Sequence, residues 1–271
     1  MRLYSIAVYL FLYVPIGIIV LFSFNSGRHA ADFQGLSVQW YGKALSNPFV
    51  MEALSTSLII ALSAAVLSSL MGTAAALALQ RLRGALRALF DGLIYISIMI
   101  PGIVIGIATL VALVTVFDFL NPVLAALWPD GTKAPKMSLG YATVIAAHTL
   151  FTMSLVIVLV RARIADMDRT LIEASEDLYA TPWRTFYQVT LPQIYPAILA
   201  GFLLSFTFSF DDFIISFFVA GANTTLPIYI FSSIRRGITP EVNAIGTMVL
   251  GVSLTLLIAA QFALRARLLN R

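Results

Sequence analysis

The sequence predicts an all-α membrane protein with six transmembrane helices, on three observations. Of 271 residues, 60% are hydrophobic and 11% charged, where an ordinary soluble domain carries about 25% charged residues, and the mean hydropathy is +0.93. A chain of this length cannot enclose so much apolar surface in one core and still cover its outside with seventeen basic and thirteen acidic side chains, so most of its solvent must be lipid. Runs free of Asp, Glu, Lys and Arg recur at six places, each long enough to carry a helix of roughly 20 residues across about 30 Å of hydrocarbon. They are continuous and rich in Leu, Ala and Ile, which satisfies the backbone within each segment; a transmembrane barrel would alternate over about ten residues at a time.

The first run, Leu3 to Phe24, is longer than a secretory apolar core and precedes no small-residue cleavage site, so it is expected to be retained. The second is Ala53 to Gln80 and the third Gly92 to Phe117. Pro101 inside the third is expected to kink it and free carbonyls that either line a path or serve packing. Gly102 and Gly106 form a small-xxx-small pattern suited to close helix contact. The fourth run, Met137 to Val160, contains His148, either a gating or proton-linked group or a hydrogen-bonded packing group. The fifth, Thr185 to Phe210, carries Pro192 and Pro196 early, so its crossing is placed at about Gln193 to Val219 with Asp211 and Asp212 near the far end. The sixth is Val242 to Leu264. No low-complexity tract or long repeat divides the chain, which reads as one membrane domain, 1–271.

Orientation follows from the basic residues. With both ends cytoplasmic, eleven arginines fall inside, including Arg81, Arg83, Arg87, Arg161, Arg163, Arg169 and Arg184, against six basic residues outside, in keeping with the positive-inside rule. The outside segments near 25–52, 118–136 and 220–241 contain Gly, Pro, Asn and Trp and suit ordered loops or short surface helices. A net charge of +4 is too small and too scattered for a nucleic-acid surface. Without cysteine there is no disulfide framework, thiolate catalysis or iron-sulfur cluster, and His29 with His148 makes no metal constellation. Lys43, Lys133 and Lys136 precede Ala, Ala and Met, so no phosphate-binding Gly-Lys-Ser/Thr loop exists to hold ATP.

The inside connection at 161–192 is the informative loop. Thr170 with Glu173 three residues later is a capping-box pattern for one short helix, and Thr181 before Pro182 starts a second. Glu173, Glu176 and Asp177 crowd the first helix, where Leu171, Ala174 and Leu178 share a less polar stripe. Such a helix suits either docking against a partner or lying solvated on the membrane.

Glu173-Ala174-Ser175 followed by Leu191-Pro192, with Ala180 and Phe186 between, resembles the EAA loop of ABC importer permeases. Ser175 replaces a third small residue, and Tyr179 stands where the family usually has glycine. If that glycine supplies a left-handed turn, this loop is expected to turn differently or to carry strain, because a bulky side chain disfavours positive φ. Further on stand Phe210-Asp211-Asp212-Phe213, Leu226-Pro227-Ile228 and Pro240-Glu241-Val242-Asn243-Ala244. With Trp40-Tyr41 and Pro101-Gly102 they make the chain similar over nearly its whole length to spermidine/putrescine importer permeases, most of all to the second permease of such a system.

The resemblance implies a type I ABC importer permease fold in a bacterial inner membrane, with 161–192 as its cytoplasmic coupling loop. Glu173, Ala174, Ser175, Leu178 and Tyr179 would engage the ATPase. It implies two ATP-binding subunits that hold ATP and Mg, no cofactor on this chain, a second homologous permease in a heterodimer, and a soluble binding protein that delivers cargo for alternating access. Polyamines are multivalent cations, so carboxylates and aromatic faces should line their path. Asp211, Asp212, Phe210 and Phe213 are the candidates, beside Phe206 and Phe217. Adjacent residues point about 100° apart on a helix, so one carboxylate is expected to face cargo while the other faces interfacial water or fixes a loop. Other small amines or amino-acid derivatives are alternative cargoes. A self-contained carrier would need several ionisable groups midway through its spans, and an intramembrane hydrolase would need a catalytic set such as His-Glu-x-x-His or Gly-x-Ser-x-Gly. This sequence has few of the former and neither of the latter motifs.

Overall fold

The computed structural model describes residues 2–29, 32–129, 132–237 and 239–269, with side chains over 4–29, 32–129, 132–237 and 239–255. The helices are α1 (Arg2–Ser23), α2 (Gln39–Ser46), α3 (Pro48–Leu79), α4 (Gly84–Met99), α5 (Gly102–Leu127), α6 (Tyr141–Ala165), α7 (Thr170–Asp177), α8 (Pro182–Thr185), α9 (Leu191–Asp211), α10 (Ile214–Val219), α11 (Leu226–Arg236) and α12 (Pro240–Leu269). Among the described residues the only β pairing is an isolated antiparallel bridge between Asn25 and Leu36.

Five helices among the described residues are long and apolar enough to cross a membrane: Tyr4–Ser23, Pro48–Leu79, Gly102–Leu127, Tyr141–Ala165 and Pro182–Asp211. The sixth expected span, Val242 to Leu264, falls within α12, and its side chains from residue 256 lie outside the described residues. Two expected crossings are corrected. The run Gly92 to Phe117 is broken between α4 and α5, because Pro101 has no N–H to continue α4; its carbonyl instead accepts from the amides of Val104 and Ile105 and opens α5. Pro101 is therefore a helix start and not a kink. The fifth crossing stops at Asp211, where Asp212 turns extended (φ −69°, ψ 121°), and Ile214–Val219 is a separate short helix.

The chain divides into two compact units, Met1–Glu52 with Tyr229–Arg271, and Ala53–Ile228. In the first, α12 packs against α1 and α2. Buried Asn25 organises the loop after α1: its amide donates to the carbonyls of His29 and Asp32, and its side-chain oxygen accepts from the amides of Gly27 and Gln34. At the start of α12, the Glu241 carboxylate accepts from Asn47 at 2.8 Å.

In the second unit α6 is central, packing on α4, α5, α9 and α10. Hydrocarbon offers helices no hydrophobic incentive to associate, so contact depends on shape and on hydrogen bonds. Val156 of α6 is fully buried between Gly72 of α3 and Gly201 of α9. A Cβ on Gly72 would lie 2.8 Å from Val156 Cβ, and one on Gly201 3.3 Å from its methyl groups. The expected contact role holds for Gly106, whose added Cβ would lie 2.8 Å from Phe218 of α10, but not for Gly102, which has open space around it. Apolar side chains along α1, α3 and α5 remain exposed, as hydrocarbon-facing surface should be.

Gly72→Val should overpack this seam and lower stability by about 1–3 kcal/mol, read as thermal unfolding in detergent, and Val156→Ala in the same chain should recover part of the loss. Unchanged unfolding of Gly72→Val would mean that the seam is loose.

Candidate functional site

The residues singled out in the sequence gather at two places. The first is the loop of α7 and α8. The capping box expected at Thr170 is absent, because Thr170 is already the first helical residue. Asp168 caps instead, its carboxylate accepting from the Thr170 hydroxyl at 2.8 Å and the Thr170 amide at 2.9 Å. Those two bonds hold its carboxyl below the usual carboxylate range. The cap is therefore complete at neutral pH and is lost only as pH falls through that lowered value. At the second helix Thr181 does cap as expected, accepting from the Arg184 amide ahead of Pro182 at the first position.

Tyr179 sits at φ 56°, the left-handed region where the family glycine was expected to matter. The reason is a two-bond helix stop: the Ala180 amide donates to the Ser175 carbonyl and the Tyr179 amide to the Glu176 carbonyl, which requires a left-handed residue between them. The loop keeps the turn and carries the strain, about 1–2 kcal/mol for a residue with a Cβ. The turn leaves Leu178 82%, Tyr179 96% and Trp183 68% exposed. Ser175 and buried Thr185 join α7 to α8 through a 2.9 Å hydroxyl contact, and Trp183 packs on Phe186 and Tyr187. Glu173 and Ala174 are exposed.

Between α8 and α9 the helix widens into one π turn, Phe186–Thr190, whose bond runs from the Leu191 amide to the Phe186 carbonyl. Pro192 follows directly, and its missing N–H and ring oppose a regular helical bond there. The span thus runs on from Pro182 instead of beginning at about Gln193 as expected. Arg163 Nε donates to the Gln193 carbonyl at 2.9 Å and ties the end of α6 to the start of α9.

The second place is the far end of α9, where the two carboxylates part company. Asp212 Oδ2 accepts from the Ser216 amide at 2.9 Å, capping α10, and from His148 Nε2 at 3.2 Å. A carboxylate only accepts, so Nε2–H is the donor. His148 is 1% exposed; its Nδ1 lies 2.7 Å from Ser209 Oγ, and its Nε2 also approaches Ser216 Oγ at 3.2 Å. His148 is thus a hydrogen-bonded junction joining α6, α9 and α10. Asp211 is exposed, and its carboxylate has no hydrogen bond or ion pair among the described residues. It lines a cavity of about 670 Å³ with Thr207, Phe208, Asp212, Phe213 and Ile214. Phe213 therefore joins the carboxylate, whereas Phe210 stacks on Phe206 with centroids 5.9 Å apart. Phe208 also lines the cavity and meets Phe151 edge-on at 6.0 Å; residue order alone does not separate it from its neighbouring phenylalanines. Asp212→Ala should destabilise the chain by about 2 kcal/mol by removing the acceptor shared by His148 Nε2 and the Ser216 amide, whereas Asp211→Ala should stay within about 0.5 kcal/mol of the parent. Equal thermal unfolding of the two variants in detergent would contradict this division.

Residues 65–271 match the family described as binding-protein-dependent transport system inner membrane component. Over 244 residues the chain is 38% identical to the putrescine transport system permease protein PotI of Escherichia coli (strain K12), covering 89% of this chain and 82% of that protein. Over 260 residues it is 34% identical to the spermidine/putrescine transport system permease protein PotC of the same strain, covering 96% of this chain and 91% of that one. Among solved structures, a bacterial ABC transporter involved in the import of the acidic polysaccharide alginate superposes with a TM-score of 0.76 at 16% identity, covering 97% of this chain and 93% of that chain, a likeness of fold. On this match over most of its length, the chain belongs to the family of binding-protein-dependent transport system inner membrane components.

Proposed function

We propose that this chain is a permease subunit of an ATP-driven importer for polyamines, with six spans, both termini cytoplasmic, and half of an alternating-access pathway. Residues 1–271 act as one transmembrane permease domain, within which 161–192 is the coupling loop. The observation that carries this reading is the bare tip of α7 and α8, where Leu178, Tyr179 and Trp183 stand exposed on a turn held by a strained left-handed residue. Exposed aromatic and aliphatic side chains on a rigid turn are the anchors a partner groove buries. Glu173, Ala174 and Ser175 complete the docking face, and closure of two nucleotide-binding subunits moves it as a rigid body. ATP and Mg belong to those subunits, and this chain contributes no ATPase site of its own. A second homologous permease and a substrate-binding protein complete the complex.

Asp211 is the carboxylate offered to cargo, since Asp212 is taken by His148 and Ser216. With Phe208 and Phe213 around it, Asp211 gives an ammonium group one charge and nearby aromatic faces, an attraction weak enough to permit release. The names of PotI and PotC support putrescine and spermidine as cargo.

The test is ATP hydrolysis by the complete complex in proteoliposomes, with and without binding protein loaded with spermidine or putrescine. Stimulation by the loaded protein is expected. Tyr179→Gly should relieve turn strain yet weaken stimulation, because it deletes the most exposed ring. Stimulation only by a different amine would contradict the cargo, and hydrolysis unaffected by any loaded binding protein would contradict the coupled importer.

A further inference from the structure

A cavity of about 740 Å³ opens where α3, α4 and α6 end and the loop into α7 begins. Four arginines line it, Arg81, Arg87, Arg161 and Arg169, against the single carboxylate of Glu173. Asp91 accepts a hydrogen bond from Arg161 and lies 3.8 Å from Arg87 Nε, so it engages two of the four. Arg81 and Arg169 are exposed, and neither guanidinium has an ion pair or hydrogen bond among the described residues. The pocket therefore keeps an excess of fixed positive charge carried by planar donors suited to phosphate oxygens.

Its depth and its apolar walls narrow the ligand. From Tyr141 to Val160, α6 carries no Asp, Glu, Lys or Arg, which at helical rise spans about 30 Å, the hydrocarbon thickness. Arg161 therefore marks the level where lipid phosphates lie. Val158, Ile164, Met167 and Ile172 contribute apolar wall beside the arginines. A second cavity of about 480 Å³ shares Leu79 with the first and is lined by apolar side chains including Phe90, Leu93, Met153 and Ile157. A free phosphate would gain nothing from those surfaces, whereas an acyl chain would.

We propose that the basic cavity binds the phosphate headgroup of an anionic phospholipid, with an acyl chain along the adjoining apolar cavity. The site rests on the chain lying in a membrane, which its family establishes, and is independent of the cargo. Because Ile172 and Glu173 of α7 form part of the same wall, a bound lipid would sit directly against the coupling helix and hold it to the end of α6.

The test is native mass spectrometry of the complete complex in mild detergent, titrated with phosphatidylglycerol, phosphatidylcholine or inorganic phosphate, with ATP hydrolysis measured on the same samples. Phosphatidylglycerol should be retained and phosphatidylcholine lost, and millimolar inorganic phosphate should not displace the bound lipid. Arg81→Gln with Arg169→Gln should weaken retention about tenfold or more, while Arg81→Lys with Arg169→Lys, which keeps the charge but loses the planar fork, should fall between that variant and the parent. Equal retention by the glutamine variant, equal retention of phosphatidylcholine, or displacement by inorganic phosphate would overturn the lipid site. A complex that hydrolyses ATP on demand but holds no phosphatidylglycerol would overturn it while leaving the transport reading intact.

Discussion

The close seam along α6 is the constraint on which the second unit depends. In hydrocarbon, apolar side chains lose little by facing lipid, so helices stay together only where backbones approach closely or polar groups meet. Here both occur on one helix. Val156 is gripped by glycines of α3 and α9, and His148, about two turns away, joins Ser209, Asp212 and Ser216 across α9 and α10. At the other end, Arg161 and Arg163 reach Asp91 of α4 and the Gln193 carbonyl of α9. A buried polar network in this setting is stabilising only when its members are satisfied, and the partners of His148 meet that condition on both ring nitrogens.

The helix α9 runs from one candidate region to the other. The α9 segment that ends at Asp211 and Asp212 begins next to the α7–α8 loop, and the Arg163 bond ties that beginning to α6. A displacement of the loop therefore meets α9 through the π turn and Pro192, where the regular bonding pattern is already interrupted. Interrupted helical segments are where a long helix bends at least cost. The left-handed turn at Tyr179 and the π turn at Phe186–Thr190 are the two irregular points of this loop, and both fit the coupling role proposed for it.

Much of this was legible from residue order alone, for reasons that can be named. Charge-free runs reveal spans because burying an ionised side chain in lipid is costly, and five of them coincide with long helices or parts of them. The cap at Thr181 was legible because Pro182 follows it. Hydropathy is blind to a lost N–H, however, so the continuous apolar run suggested one span kinked at Pro101 where the chain forms two separate helices. Local preference also failed at Tyr179, where the backbone bonds of the helix stop overrule a side chain that disfavours the turn. The separate fates of Asp211 and Asp212 depend on His148, 64 residues from Asp212, a pairing that no local pattern encodes.

Asp212 is held by His148 and Ser216, and the proposed function gives the cargo role to Asp211. The most direct test is uptake of labelled spermidine by the complete complex carrying Asp211→Asn, set beside the parent complex with matched assembly and matched ATPase stimulation by the binding protein. We expect a fully assembled transporter whose uptake falls about tenfold, as when one charge contact of about 1.4 kcal/mol is removed. Uptake equal to that of the parent complex would contradict it and return Asp211 to the role of a surface carboxylate.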